Sequence, residues 1–231
     1  MADDKDIIGR LVAEEFGPEV QRDFLRHLDA VYRTSAAEAA SHDRAQHRKV
    51  YGNLRLANLE TSLKLFCPKH SGITAGDVPF KKGGYPHFTM TTKSLVITCH
   101  GVARPDLLPR KAIFRQSLAT GANYVLPLFP TQVEGTEGRE FYHVMALHSF
   151  ERRVYFDEAT RTVKEVRRYD RPAFCELVVP TPDTREEVWR LSLFGEHADV
   201  IDRLRGLSRE DVAGNGPKRR RQRDEKGEKG A

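Results

Sequence analysis

The sequence predicts an α+β fold: N-terminal helices packed on a largely antiparallel sheet, then a C-terminal helical end and a basic tail. Three observations carry that prediction. Apolar residues recur at helical spacing through about residue 70, β-branched and apolar runs dominate from Ser94 to Val179, and apolar residues almost vanish after Gly214. The chain divides accordingly into a helical region, 1–70, a mainly β region with C-terminal helices, 71–213, and a tail expected to be disordered, 214–231.

The first helix is predicted from Lys5 to about Phe16, because Ile7, Ile8, Leu11, Val12 and Phe16 fall on one face and Gly17-Pro18 stops it. Pro18 opens a second helix with Val20, Phe24, Leu25, Leu28 and Val31 as its apolar stripe. A third helical stretch follows Ser35 and runs to about Leu65, polar in its first half and apolar on one face in its second. Cys67-Pro68 closes it, since the residue before a proline avoids helical dihedrals. The Gly-rich segment from Ser71 to Tyr85 reads as a boundary or surface loop.

Ser94 to His100 reads as a central strand ended by Gly101. Pro109 to Ala119 suits a short helix bearing Arg110, Lys111 and Arg115. Asn123–Leu126 and Tyr142–Leu147 suit two further strands. Arg153–Phe156 and Thr162–Val166 flank a turn and form the clearest hairpin. Phe174–Val179 adds a strand, and Pro180-Thr181-Pro182 then breaks the sheet. Asp183 is placed as an N-cap, with Thr184 to Phe194 following and a last helix from about His197 to Leu207.

The 231 residues are 39% hydrophobic and 31% charged, which describes a soluble globular protein with a real core. No run is long enough for a membrane span, and Met1 to Asp6 lacks the order of a signal peptide, so a cytoplasmic location without membrane contact is expected. Cys67, Cys99 and Cys175 are odd in number and far apart, which argues against a disulfide framework. Of the net charge of +5, residues 216–231 supply +4, from seven Lys or Arg and three Asp or Glu. The tail is the expected site of any weak nucleic-acid contact.

The chemistry-bearing residues form no strong motif. Cys67-x-x-His70 with Cys99-His100 makes a poor zinc set, because neighbouring residues on a strand face opposite ways, so no metal and no cofactor are expected. Acidic residues at Asp157, Glu158, Glu165 and Glu176 belong more naturally to a solvated hairpin than to a nuclease site. A nucleic-acid-processing enzyme remains the alternative function, with a site near His100, Arg115 and His143; His143 and His148, beside Tyr142, offer acid–base chemistry.

A different signal lies in Arg190-Leu191-Ser192-Leu193-Phe194, where apolar anchors at fixed offsets suit a preformed groove. The segment resembles the pentapeptide Gln-Leu-Ser/Asp-Leu-Phe with which bacterial proteins dock on the replicative sliding clamp, with Arg190 in place of the glutamine. The same Leu-x-Leu-Phe grammar recurs at Leu63, Leu65 and Phe66, and at Leu126, Leu128 and Phe129. The resemblance implies an interaction protein rather than an enzyme, similar to the SocB type of replication toxin. Such a protein blocks DNA replication by occupying the clamp, and is held down by an antitoxin that delivers it to a protease.

Removing residues 216–231 is expected to leave the melting temperature unchanged and to weaken nucleic-acid association, itself fading with added salt. A large loss of stability on truncation contradicts that division of the chain.

Overall fold

The computed structural model describes residues 4–78, 87–110, 115, 118, 141–181 and 185–206. Three helices lead: α1 (Asp4–Glu15), α2 (Pro18–Ala39) and α3 (Arg44–Phe66), followed by a 3-10 turn at Cys67–Lys69. Among the described residues six strands come next: β1 (Thr74–Val78), β2 (His87–Thr91), β3 (Leu95–Gly101), β4 (Tyr142–Asp157), β5 (Thr162–Pro180) and β6 (Glu187–Ser192). Two short helices, α4 (Leu193–Glu196) and α5 (Ala198–Leu204), close the described chain. The α+β class stands, and the sheet is antiparallel except at one pair.

The strands lie in chain order, β1 to β6, across one sheet. Among the described strands only β3 and β4 pair in parallel, with Val96 opposite His143 and Thr98 opposite Met145. A parallel pair needs a crossover, and here residues 102–141 supply it. Alternation then sorts the side chains between two faces. Leu95 and Ile97 on β3, Val144 and Ala146 on β4, and Cys175, Leu177 and Val179 on β5 join the helices in one core. Val96, Thr98 and His100 on β3, with His143, Met145 and Leu147 on β4, occupy the far face.

The helical and β regions therefore share a single core. Its centre is an aromatic trio from three elements: Phe16 and Phe24 sit 5.7 Å apart, Phe24 and Phe66 6.0 Å, and Phe16 and Phe66 6.5 Å. All three are fully buried. Edge-on ring contacts of this kind add about 0.5–1.5 kcal/mol beyond the area they bury. Gly17 lets α1 turn into α2, because a Cβ there would lie 2.8 Å from the Ala13 carbonyl oxygen. Glu15 ties α1 to the sheet by accepting from the Ser94 N–H at 2.8 Å and from the Thr92 hydroxyl. Gln21 does the same for the C-terminal end, donating to Phe16 O at 2.7 Å and accepting from His197 Nε2 at 2.8 Å.

Several boundaries differ from the expectations. α2 continues through Ala39, so the break falls at residues 40–43 and not at Ser35. β1 occupies part of the expected 71–85 loop, held by pairing with β2 from Thr74–Thr91 to Val78–His87. The separate strands expected within 142–166 are one long ribbon, since β4 runs 16 residues and β5 19. That ribbon shifts register at Ser149–Glu151, opposite Pro172, where a proline cannot complete the ladder. Beyond the shift it carries exposed Val154, Phe156 and Val163. Glu187–Ser192, expected as part of a helix, is strand β6, because pairing with β5 from Glu176–Ser192 to Pro180–Glu187 overrides local preference. Asp183, the strand at Asn123–Leu126 and the tail lie outside the described residues; Arg115 and Leu118 are helical.

Replacing Phe24 with Ala opens the trio and is expected to cost about 3–5 kcal/mol, read as a lower urea midpoint at unchanged slope. A loss below about 1 kcal/mol contradicts the placement of the core at this trio.

Candidate functional site on the far face of the sheet

The far face brings together side chains that neither composition nor spacing joins. Thr98 is buried, and its hydroxyl lies 2.8 Å from His100 Nε2 and 2.8 Å from His143 Nε2. Thr98 and His100 are two residues apart on one strand, so period-two alternation puts them on one side. His143 enters from the neighbouring strand, where it stands opposite Val96, two residues before Thr98. On the other side of β3, β2 pairs antiparallel from Thr89–Thr98 to Thr91–Val96, and His87, two residues before Thr89 on the same face, is near enough for its charge to act on His100. Arg115, from the crossover, completes the group: its charge acts on His87, His100 and His143 alike.

Proton count constrains the bridge. A hydroxyl holds one proton, so with two Nε2 atoms as its partners it donates to one ring and accepts from the other. His143 Nδ1 is buried and has no hydrogen-bond partner among the described residues. A bare lone pair there costs less than an N–H without an acceptor. His143 therefore carries its proton on Nε2 and donates to Thr98, which donates to His100 Nε2. His100 is left with Nδ1–H, directed away from the bridge.

The electrostatics favour neutral rings. Burial pushes His100 well below the usual 6.5, with Arg115 and the neighbouring histidines adding in the same direction. Burial and then Arg115 take His143 down to about 3, and the same two causes lower His87. His143 is sealed at 3% exposure, whereas His87, His100 and Arg115 are only partly covered. The arrangement thus places two half-buried imidazoles and a half-buried guanidinium around a buried hydroxyl bridge. It can hold an anion and move a proton beside it.

The other expected candidates fall elsewhere. His148, five residues from His143, points to the opposite face, where its Nδ1 lies 2.8 Å from the Tyr32 hydroxyl; an odd separation on a strand cannot build one site from the pair. His70 pairs with Asp23 at 3.0 Å, Cys67 is buried, and all three cysteines are free. Among the described residues no group of three or more His, Cys, Asp or Glu side chains can hold a metal ion. Asp157 pairs with Lys164, and Glu165 with Arg152 and Arg167, as expected of a solvated ribbon.

The described Leu-x-Leu-Phe segments are largely built into the fold. Leu193 has no exposure and belongs to the core, and Leu191 and Phe194 pack against it. Leu191 sits in β6 opposite Leu177, and Ser192 caps α4 by accepting from the Gly195 N–H. Arg190 is committed to Glu187, and donates to the Pro105 carbonyl at 2.9 Å. In the copy on α3, Leu63 and Phe66 are buried and only Leu65 faces solvent, at 64% exposure. The third copy lies outside the described residues. Burial of apolar side chains outweighs their use as free anchors here.

Comparison with protein-family models, with curated proteins and with solved structures found no match to this chain. Among the described residues no helix is long and apolar enough to cross a membrane. His87 and Thr98 were missed in the sequence. The available signal was the alternation His87-x-Thr89 and Thr98-x-His100, which acquires meaning only once the strand register aligns the two.

Two predictions follow from this geometry. Leu193→Ala is expected to destabilise the fold by about 2–5 kcal/mol in urea melts; unchanged stability returns the segment to the status of a free peptide. The second concerns acid. His143 and His148 both have folded values near 3, through burial and then a neighbouring arginine, while an unfolded histidine titrates near 6.5. Between these values the unfolded chain binds more protons. Stability is therefore full above about pH 6.5 and falls as pH drops toward 3, by roughly 1.4 kcal/mol per unit per ring. His143→Gln is expected to flatten the profile, and an identical slope in the variant contradicts the assignment.

Proposed function

We propose that the protein acts on phosphodiesters of nucleic acids at the far-face site. The observation that carries this reading is the Thr98 hydroxyl shared by two imidazoles, both within reach of the Arg115 charge. Such a bridge fixes ring orientation and tautomer at a place where Arg115 attracts an anion. Arg115 and the His100 Nδ1–H bind the phosphate oxygens and stabilise the charge that grows on them during displacement. A neutral imidazole is a competent electrophile of this kind when its proton is held in place. His87 serves as general base, since a ring held neutral near pH 7 is ready to accept a proton. Thr98 and His143 are positioning residues. The basic residues of 216–231 supply non-specific attraction to the polymer.

Docking on a sliding clamp rests on the pentapeptide grammar, and an antitoxin or protease adaptor would enter only with it. It requires Leu193 to leave the core, so it is not the reading advanced.

The test is hydrolysis of bis(p-nitrophenyl) phosphate and of labelled single-stranded oligonucleotides. His87→Ala is expected to lower kcat by about 10²–10⁴, the usual scale for a general base. Arg115→Ala should weaken both binding and turnover, and Thr98→Val should lower kcat more than it raises KM, with the His100 NMR resonances broadened. With His87 as base, kcat/KM falls as pH drops below its lowered pKa and is level above it. Wild-type rates in His87→Ala and Arg115→Ala, or no cleavage of any phosphodiester by the wild-type protein, overturn the proposal.

A further inference from the structure

We infer that the outer end of the β4–β5 ribbon is a docking surface for single-stranded nucleic acid, with Phe156 as the ring on which a base stacks. β4 pairs with β3 over Tyr142–His148, and β5 pairs with β6 over Glu176–Pro180. Past those spans, from Glu151–Arg168 to Asp157–Thr162, the two strands pair with each other. Residues opposite one another in an antiparallel pair share a face. Alternation therefore puts Arg152, Val154 and Phe156 on one side of the ribbon with Val163, Glu165 and Arg167. Val154, Phe156 and Val163 are 58%, 59% and 70% exposed there. A two-stranded ribbon is marginal in water by itself. An aromatic ring and two valines uncovered side by side on one mark an interaction surface.

The charges around this trio decide what covers it. Residues 152–167 hold five Arg or Lys against three Asp or Glu. On the apolar face Arg152 and Arg167 share the Glu165 carboxylate, so positive charge is in excess and the two guanidiniums keep unspent N–H donors. The carboxylates also lie deeper than their partners. Arg152 is 52% exposed against 26% for Glu165, and Lys164 44% against 18% for Asp157; Arg168 and Asp170, nearer the base, reverse the order. The surface thus suits a polyanion that offers flat apolar faces, which describes a single strand with its bases unstacked. A duplex keeps those faces inside, and a wedge between base pairs needs its apolar group at the leading end. Asp157 to Arg161 lead here, and the same polar tip is unsuited to entering a bilayer. A second copy would press one positive face on another.

The deciding experiment titrates the full chain into labelled oligo(dT), and into the same strand paired with oligo(dA), read by fluorescence anisotropy. The expected result is saturable binding that favours the single strand and is weakened at least about fivefold by Phe156→Ala, the lower end of what one base stack contributes. Val163→Ser, on the facing strand, should weaken it as well. The melting temperature should stay in place in both, because neither side chain supports the core. Changing Arg152 and Arg167 together to Gln should lower the slope of log Kd against log salt by about 1. Glu165→Gln releases both guanidiniums and should tighten binding, which a merely structural ion pair does not do. The basic tail is intact in every variant, so each change reads the ribbon. Unchanged affinity in Phe156→Ala and Val163→Ser, equal affinity for the duplex, or no binding by the wild-type chain overturns the inference. So does a dimer in sedimentation that Phe156→Ala dissociates, which assigns the face to a second copy. Tighter binding to phosphatidylserine vesicles than to oligo(dT), lost in Phe156→Ala, overturns it too. Hydrolysis of bis(p-nitrophenyl) phosphate belongs to the far-face site and should be the same in all these variants, so this inference and the phosphodiester reading fail separately.

Discussion

Parallel pairing of β3 with β4 is the constraint on which the rest of the molecule depends. Every other neighbouring pair among the described strands is antiparallel. A parallel pair cannot be joined by a tight turn, and here 40 residues separate β3 from β4 in the chain. Arg115 belongs to that connection, and its charge acts on the histidines of the face the helices do not cover. The same pairing sets Val96 beside His143 and Thr98 beside Met145, which is the register that lets one hydroxyl reach two imidazoles. A one-residue slip would send His143 to the helix side and dissolve the group.

The two faces use similar residues for different ends. On the helix side, Arg55 donates to the Tyr32 hydroxyl at 3.3 Å and lies over the Tyr32 and Tyr51 rings. Tyr32 in turn meets His148 at 2.8 Å. The guanidinium rests on Gly101, where a Cβ would lie 2.5 Å from Nη2. Tyr32 and His148 are both sealed, so this network joins α2 and α3 to the end of β3. On the far side, the corresponding polar bridge sits beneath rings that solvent reaches. Accessibility, more than residue type, separates a structural network from a site.

Much of the fold was legible because amphipathic stripes are local. The first two helices follow from Ile8, Val12, Phe16, Phe24, Leu25 and Leu28, all buried as their spacing requires. β6 was not legible, since its segment acquires strand geometry by pairing with β5 and carries no strong local preference. The Leu-x-Leu-Phe grammar is ambiguous for a related reason: the residues that anchor a peptide in a groove are those that anchor a chain in its own core, and Leu193 is buried in the core. At the site, His100, Arg115 and His143 could be picked out as chemistry-bearing residues, but nothing local says that they meet. Their meeting depends on a parallel register across more than forty residues, and Thr98 gains its role only from that register.

The bridge can be observed directly through the protonation state of its rings. Long-range ¹H–¹⁵N NMR of the imidazoles near pH 7, with and without inorganic phosphate, reads tautomer and anion contact in one experiment. The expected spectrum shows His100 and His143 as neutral rings of opposite tautomer, protonated on Nδ1 and Nε2 respectively. Phosphate should shift His87 and His100 and leave His148 unmoved. The same tautomer on His100 and His143, or no response of His87 and His100 to phosphate at millimolar concentration, contradicts both the shared hydroxyl and the anion site built on it.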